Sequence, residues 1–427
     1  MDLDVAVVGG GVAGLRAADR LASAGASVRL YEREATVGGR VRTERRGDYR
    51  FDRGFQVLFT SYPELREAVD LDALDLRSFP PGAVVCRPNH RALVADPRRE
   101  PSALVETAFT RDLTIGDKLR VLRLARDLGG RSTADIGGDR DLSIEQYLDE
   151  RGFSRRFLEN VAVPFFGGIT LDRSLGTDSR VFEFVVGMLA TGRAAVPADG
   201  MGAVPAQFAD AARTAGATIE AEATVRAVQH VAEGVEIDVD GSTVEADVAI
   251  VATDPPTSAD LTGVDAIPTE GKGCVTQYLG LPDGTPLDDE AHIHLNAASA
   301  VPNQVVPIST VAPEYAPDDA LLLSATTLAD PEAATEADAT TLFERTRAVL
   351  RDWYPEGSFE SLELLETVRC PFAQFAQPPG FADDLPDVRA PAGPVYLAGE
   401  YTQQSSINGA LKSGRLAAEA VLDDATA

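Results

Sequence analysis

Leu3-Asp4-Val5-Ala6-Val7-Val8-Gly9-Gly10-Gly11-Val12-Ala13-Gly14 is the stretch that decides the fold. The apolar run up to Val8 reads as a buried parallel strand, and Leu15 to Ala24 has helical composition that stops at Gly25. Strand, glycine turn and helix in that order make a dinucleotide site. Gly9 permits the tight turn, Gly11 lets backbone approach a pyrophosphate, and Gly14 lets helix and strand pack closely. The helix start at Val12 and Ala13 adds free N–H groups and a positive dipole end. Ser27 to Tyr31 reads as a second strand, which delivers Glu32, followed by Arg33, to the ribose hydroxyls. A carboxylate at that point argues against a 2′-phosphate.

The rest of the chain bounds what such a site can serve. At 427 residues there is room for roughly two or three domains. The formal net charge of −28 repels phosphate backbones, which excludes nucleic acid as a natural partner. Lysine occurs only at Lys118, Lys272 and Lys412, so nearly all 39 basic residues are arginine. This acidic, lysine-poor balance resembles halophile proteins and predicts a fold that loses stability when salt is diluted, because screening of self-repulsion is then lost. Equal melting temperatures in low and molar salt would refute that. Cys86, Cys274 and Cys370 form no CxxC motif and no disulfide framework, which reads as buried, reduced thiols. With no basic leader and no run of about 18 apolar residues, the sequence points to the cytoplasm.

Further blocks surround the glycine turn. Gly38-Gly39-Arg40, with Arg42 close behind, supplies flexible backbone and cations after the second strand, and read alone it is equally a solvated basic loop. Thr224 to His230, Val235 to Val239 and Thr243 to Ala246, turned at Asp240-Gly241, read as a β-meander leading into the apolar strand Val248 to Thr253. Near the end, Val395 to Glu400 reads as a buried strand ending in an acid. Ser405-Ser406-Ile407-Asn408-Gly409-Ala410 then leads into a helix reaching about Leu422.

Together these blocks resemble the flavoprotein superfamily of amine oxidases, phytoene and other carotenoid desaturases, and protoporphyrinogen oxidase. The resemblance implies an α/β fold: a Rossmann-like FAD-binding domain of parallel sheet plus β-meander, assembled from 1–60, 196–262 and 386–427. A substrate domain of 61–195 and 263–385 is inserted into it. It implies FAD as cofactor, held by Gly9 to Gly14, Glu32, Arg33 and Gly38 to Arg40. Gly54, Phe55 and Gln56 would lie beside the flavin, Val225 against the adenine, and Gly399, Glu400, Ser406, Ile407 and Ala410 around the closing helix. That family normally carries Asp at the Glu400 position, and Asp199 replaces the first glycine of its P-x-G-G-M turn. A helix N-terminus near Ile407 to Ala410 would stabilise the negative charge of reduced flavin, while Ser406 reads equally as an ordinary N-cap.

The inserted segments carry the substrate expectations. Thr114 and Asp117 resemble a capping box for a helix to Leu128 with Leu119, Leu122, Ala125 and Leu128 on its apolar side; Ser143 and Gln146 resemble another. Phe165, Phe166 and Gly167 fall in the most aromatic part and are assigned to a dry pocket. The amine-oxidase features are incomplete, because Ser406 stands where an aromatic cage tyrosine is expected. Lys272, the counterpart of a lysine near the flavin, reads also as a solvated turn residue. His292 and His294 share a face without a ligand motif, so no metal is expected. The reading is therefore an FAD-dependent oxidoreductase that dehydrogenates an apolar, isoprenoid- or carotenoid-like substrate and passes electrons to oxygen or a quinone, with at most weak peripheral membrane contact. A flavin amine oxidase is the alternative. A non-catalytic binding protein like GDP dissociation inhibitors is the alternative of another class, and it would purify colourless.

Overall fold

Val5, Ala6 and Val7 are buried because the strand Asp4–Val8 lies at the centre of a parallel sheet covered on both faces. In the computed structural model, which describes residues 3–95, 99, 110, 112–131, 141–282, 287, 291–391 and 393–426, this sheet has five strands. Its order is Thr218–Glu220, Ser27–Tyr31, Asp4–Val8, Val248–Val251 and Val395–Leu397, all parallel. The first helix, Val12–Ser23, buries Leu15, Ala17, Ala18 and Leu21, a face worth roughly 1.5–3 kcal/mol for each leucine. The closing helix, Ile407–Thr426, packs directly on it. A Cβ at Gly414 would come within 2.3 Å of the Ala13 carbonyl oxygen, so glycine there sets the distance between the two helices.

A three-stranded antiparallel meander, Val225–Val231, Gly234–Val239 and Ser242–Ala246, follows the read boundaries closely. Its Asp240-Gly241 turn has both residues at positive φ, the conformation that matches the twist of a tight hairpin. A mixed seven-stranded sheet forms the other half of the molecule, in the order Glu363–Phe375, Gly271–Pro282, Ala320–Ala329, Gln304–Pro307, Ile293–Asn296, Gly82–Arg87 and His90–Ala95.

Both capping boxes form. Thr114 and Asp117 open Ile115–Gly129, and Ser143 and Gln146 open Ile144–Glu150. The apolar side of the first of these helices matches the reading from Leu122 to Leu128 and departs from it at the helix start. Leu124 and Leu128 are buried, whereas Leu119 is 64% exposed and Ile115 77% exposed. Leu122 and Ala125 are half-buried, so of the four read positions only Leu119 turns to solvent, and the helix packs on Ser179–Thr191. The aromatic segment is helical over 155–170, with a π-helical turn at Leu158–Ala162, and again over Ser179–Thr191, the two parts joined by a non-helical stretch at 171–178. No helix among the described residues is long and apolar enough to cross a membrane.

His294 is a core histidine. Its ring nitrogens lie 3.0 Å from the His292 carbonyl and 2.7 Å from the Tyr354 hydroxyl, and its ring stacks on Trp353. Burial pushes its pKa down to about 4 from the ordinary 6.5. A lowered basic pKa stabilises the fold above the unfolded value and is lost as pH falls through the folded one. About 3 kcal/mol should therefore disappear between about pH 6.5 and 4, and His294→Gln should flatten that part of the urea-unfolding profile.

Candidate functional site

The glycine turn sits at the carboxyl end of the central strand, where a doubly wound sheet leaves a crevice. Each glycine has a separate physical reason. Gly9 adopts φ +107°, and a Cβ there would stand 2.7 Å from the Ala252 carbonyl oxygen. A Cβ on Gly14 would stand 2.1 Å from the Gly9 carbonyl oxygen, so only hydrogen lets the helix seat against the turn. A Cβ on Gly11 would meet no protein atom within 4 Å; its glycine leaves room for something outside the protein.

Glu32 is buried at the end of the second strand. One carboxylate oxygen accepts from the Gly10 N–H at 2.7 Å and the other from the Glu34 N–H at 2.9 Å, which fixes the group at the crevice edge. Gly38 donates its N–H to the Gly10 carbonyl at 2.7 Å, so the second glycine pair closes over the first. Arg40 crosses to the far side: it donates to Glu400 at 2.6 Å and to the Ala373 carbonyl at 3.1 Å. Burial pulls the Arg40 pKa down, but Glu400 outweighs it and leaves the guanidinium above its ordinary value.

Glu400 lies three residues past the observed end of its strand, in a short 3-10 turn at Glu400–Thr402, since the strand stops at Leu397 and not at the acid as read. Its second carboxylate oxygen is buried with no partner among the described residues. Such an atom in a crevice is the position for a ligand hydroxyl. Ser406 acts as the N-cap of the closing helix, accepting the Gly409 N–H at 2.9 Å, while Ile407 and Ala410 face the same space.

These residues line one continuous cavity of about 1060 Å³. Gly9, Gly11, Val12, Ala13, Glu32, Arg33, Gly38, Gly39 and Arg40 form one end; Gly54, Phe55, Gln56, Gly399, Glu400, Ser406, Ile407 and Ala410 border the middle, and Val225 closes the meander side. Phe165 and Phe166, in a T-shaped pair, lie on the wall of the aromatic lobe beyond. Three assigned residues are not on the wall. Gly14 supports it from behind. Gly167 faces away, its missing side chain pointing at the Arg173 backbone. Lys272 lies within the strand Gly271–Pro282, not in a turn, and is ion-paired to Asp172 at 3.4 Å.

Two features escaped the reading. Asp52 is a buried hub: it accepts from Thr43 Oγ1 at 2.5 Å, the Tyr315 hydroxyl at 2.7 Å and the Met201 N–H at 2.9 Å, tying the 51–56 stretch to the Pro197–Met201 turn. Asp199, the departure in that turn, is exposed and pairs with Arg45 and Arg50. The second feature is that Cys274 and Cys370, far apart in sequence, are direct partners across two antiparallel strands and both line the cavity. Strand pairing at long range leaves no local sequence signal, which is why no paired cysteines were expected.

The family model for flavin containing amine oxidoreductase matches residues 12–422. The chain belongs to that family. Its cofactor is FAD, and the crevice fits this group: a free buried carboxylate oxygen at Glu400, open space at Gly11 and a helix start facing it. Protoporphyrinogen oxidase 2 of Arabidopsis thaliana is 28% identical over 167 residues, which cover 38% of this chain and 32% of the plant enzyme. Carotenoid phi-ring synthase of Streptomyces griseus is 44% identical over 84 residues, 18% of this chain and 16% of that protein. The matched stretches thus span a third or less of these relatives. Cyclohexylamine oxidase of Brevibacterium oxydans shares the fold at a TM-score of 0.69, 17% identity and 100% coverage of both chains.

Proposed function

We propose that this flavoenzyme dehydrogenates an apolar, isoprenoid- or carotenoid-like substrate. The carrying observation is the distribution of charge around the cavity. Among the described residues its four lining carboxylates, Glu32, Glu34, Asp254 and Glu400, all belong to the cofactor end, and the aromatic lobe presents none to a cationic amine. In this reading FAD supplies a hydride acceptor. The chain's residues do the rest. Gly11 and the start of helix Val12–Ser23 take the pyrophosphate, and Glu32 orients ribose hydroxyls. Glu400, held by Arg40, presents its free oxygen to a ribitol hydroxyl. The phenylalanine wall excludes water and holds the reacting C–H in near-attack contact. Segments 1–60, 196–262 and 386–427 would act as the cofactor unit, and 61–195 with 263–385 as the substrate unit. Electrons then leave to oxygen or a quinone.

Anaerobic mixing tests the substrate class. An acyclic polyene precursor should bleach the flavin's visible absorption while a panel of primary amines leaves it unchanged; rapid bleaching by any amine would assign the protein to amine oxidation instead. Phe165→Asp places a carboxylate in the dry lobe and should lower kcat/KM for the polyene by about a hundredfold, with flavin content unchanged.

A further inference from the structure

Cys274 and Cys370 line the same cavity as the proposed cofactor and substrate residues, and the function proposed above gives them no role. Cys274 lies on Gly271–Pro282 and Cys370 on Glu363–Phe375, in direct register, with a bulge between Lys272 and Cys274 that re-aims the strand just before the pair. Residues opposite each other in an antiparallel ladder have Cα atoms about 4.5–5.5 Å apart, within the roughly 4.4–6.8 Å that a disulfide spans without backbone movement. Both thiols are free.

Buried structural cysteines are ordinarily inert because nothing reaches them and burial disfavours the thiolate. At Cys370 both are offset. Both residues lie on the wall of the cavity of about 1060 Å³. As a thiol, Cys370 donates to the Arg53 carbonyl at 3.5 Å, and Gly54 leaves the space beside its sulfur open. A hydrogen bond from Cys274, with the Arg53 and Arg40 cations, holds the Cys370 thiol below its ordinary range. Cys274, as the donor in that bond and buried, is correspondingly pushed up. The pair thus has a nucleophilic member and a protonated, resolving member in contact.

We propose that Cys274 and Cys370 form a redox dithiol on the cavity wall, which peroxide closes to a disulfide and a thiol reductant reopens. In the first step the Cys370 thiolate sulfur attacks one peroxide oxygen; an S–O bond forms, the O–O bond breaks, and hydroxide leaves to be protonated to water. Cys274 sulfur then attacks the Cys370 sulfenic sulfur. An S–S bond forms, the S–O bond breaks, and a second water departs with the Cys274 proton. The two sulfurs lose two electrons and the peroxide gains two. A dithiol reductant reverses this by exchange, ending as its own disulfide. None of these steps depends on the substrate class argued above.

The test uses the purified holoprotein treated with hydrogen peroxide, then denatured, alkylated and weighed intact with peptide mapping. Untreated protein should take three alkyl groups, one per cysteine. Treated protein should take one, on Cys86, with a Cys274–Cys370 cross-linked peptide, and reductant should restore three. Cys274→Ser should stop at a Cys370 sulfenic acid that a cyclic 1,3-dione traps, and Cys370→Ser should keep Cys274 and Cys86 fully alkylated after peroxide. Three alkyl groups after peroxide, a cross-link through Cys86, or direct overoxidation of Cys370 in the unmutated protein would overturn the proposal. The unmutated protein alone decides it, whether or not the variants fold.

Discussion

Arg40→Ala is expected to yield a protein destabilised by about 3–5 kcal/mol and largely free of flavin, measured by urea unfolding and by bound-flavin absorbance. The reason is the position of its partner. Glu400 is 5% exposed, and one carboxylate oxygen already lacks a partner among the described residues. Removing the guanidinium leaves a whole carboxylate buried without a counter-charge, a far larger cost than losing a surface pair. Glu400→Asp restores the residue the family usually carries but draws the charge back by one methylene. It should retain flavin and cost less than about 1.5 kcal/mol. If Arg40→Ala unfolds at the same urea concentration as the unmutated chain, the pair is not the hinge between the two ends of the crevice.

Two glycine variants should separate packing from cofactor recognition. Gly14→Ala puts a methyl group 2.1 Å from the Gly9 carbonyl oxygen, so the helix must lift off the turn. A loss of about 3 kcal/mol or more is expected, with flavin released as a consequence. Gly11→Leu meets no protein atom near its Cβ. It should melt like the unmutated apoprotein while flavin affinity falls at least about tenfold, read by isothermal titration. Equal effects of both on apoprotein stability would mean that Gly11, too, is only a packing residue.

What was legible in the sequence was whatever is encoded locally. The strand-turn-helix at Asp4–Ser23, the Asp240-Gly241 hairpin and both capping boxes are short-range patterns whose physics is complete within a few residues. Most of the candidate cofactor residues line one cavity because they sit at the ends of such elements. Contacts between distant segments were not legible. The Arg40–Glu400 pair, the Asp52 hub and the Cys274–Cys370 register each join residues whose proximity is created only by sheet order. The helix Ile115–Gly129 was legible in part: Leu122, Ala125 and Leu128 lie on the inward side as read, but Ile115, Leu119 and Val121 are exposed, because periodicity says nothing of how much of a helix its neighbours cover.

The packing of Ile407–Thr426 against Val12–Ser23 carries a consequence for biosynthesis. A nascent chain can form its glycine turn early, but the edge strand Val395–Leu397 and the Glu400 carboxylate are synthesised long after Arg40. Until then Arg40 has no counter-ion and the first helix lacks its neighbour. Flavin capture is thereby deferred until Glu400 and the closing helix have been made, and ribosome-bound intermediates that stop before Glu400 should remain colourless.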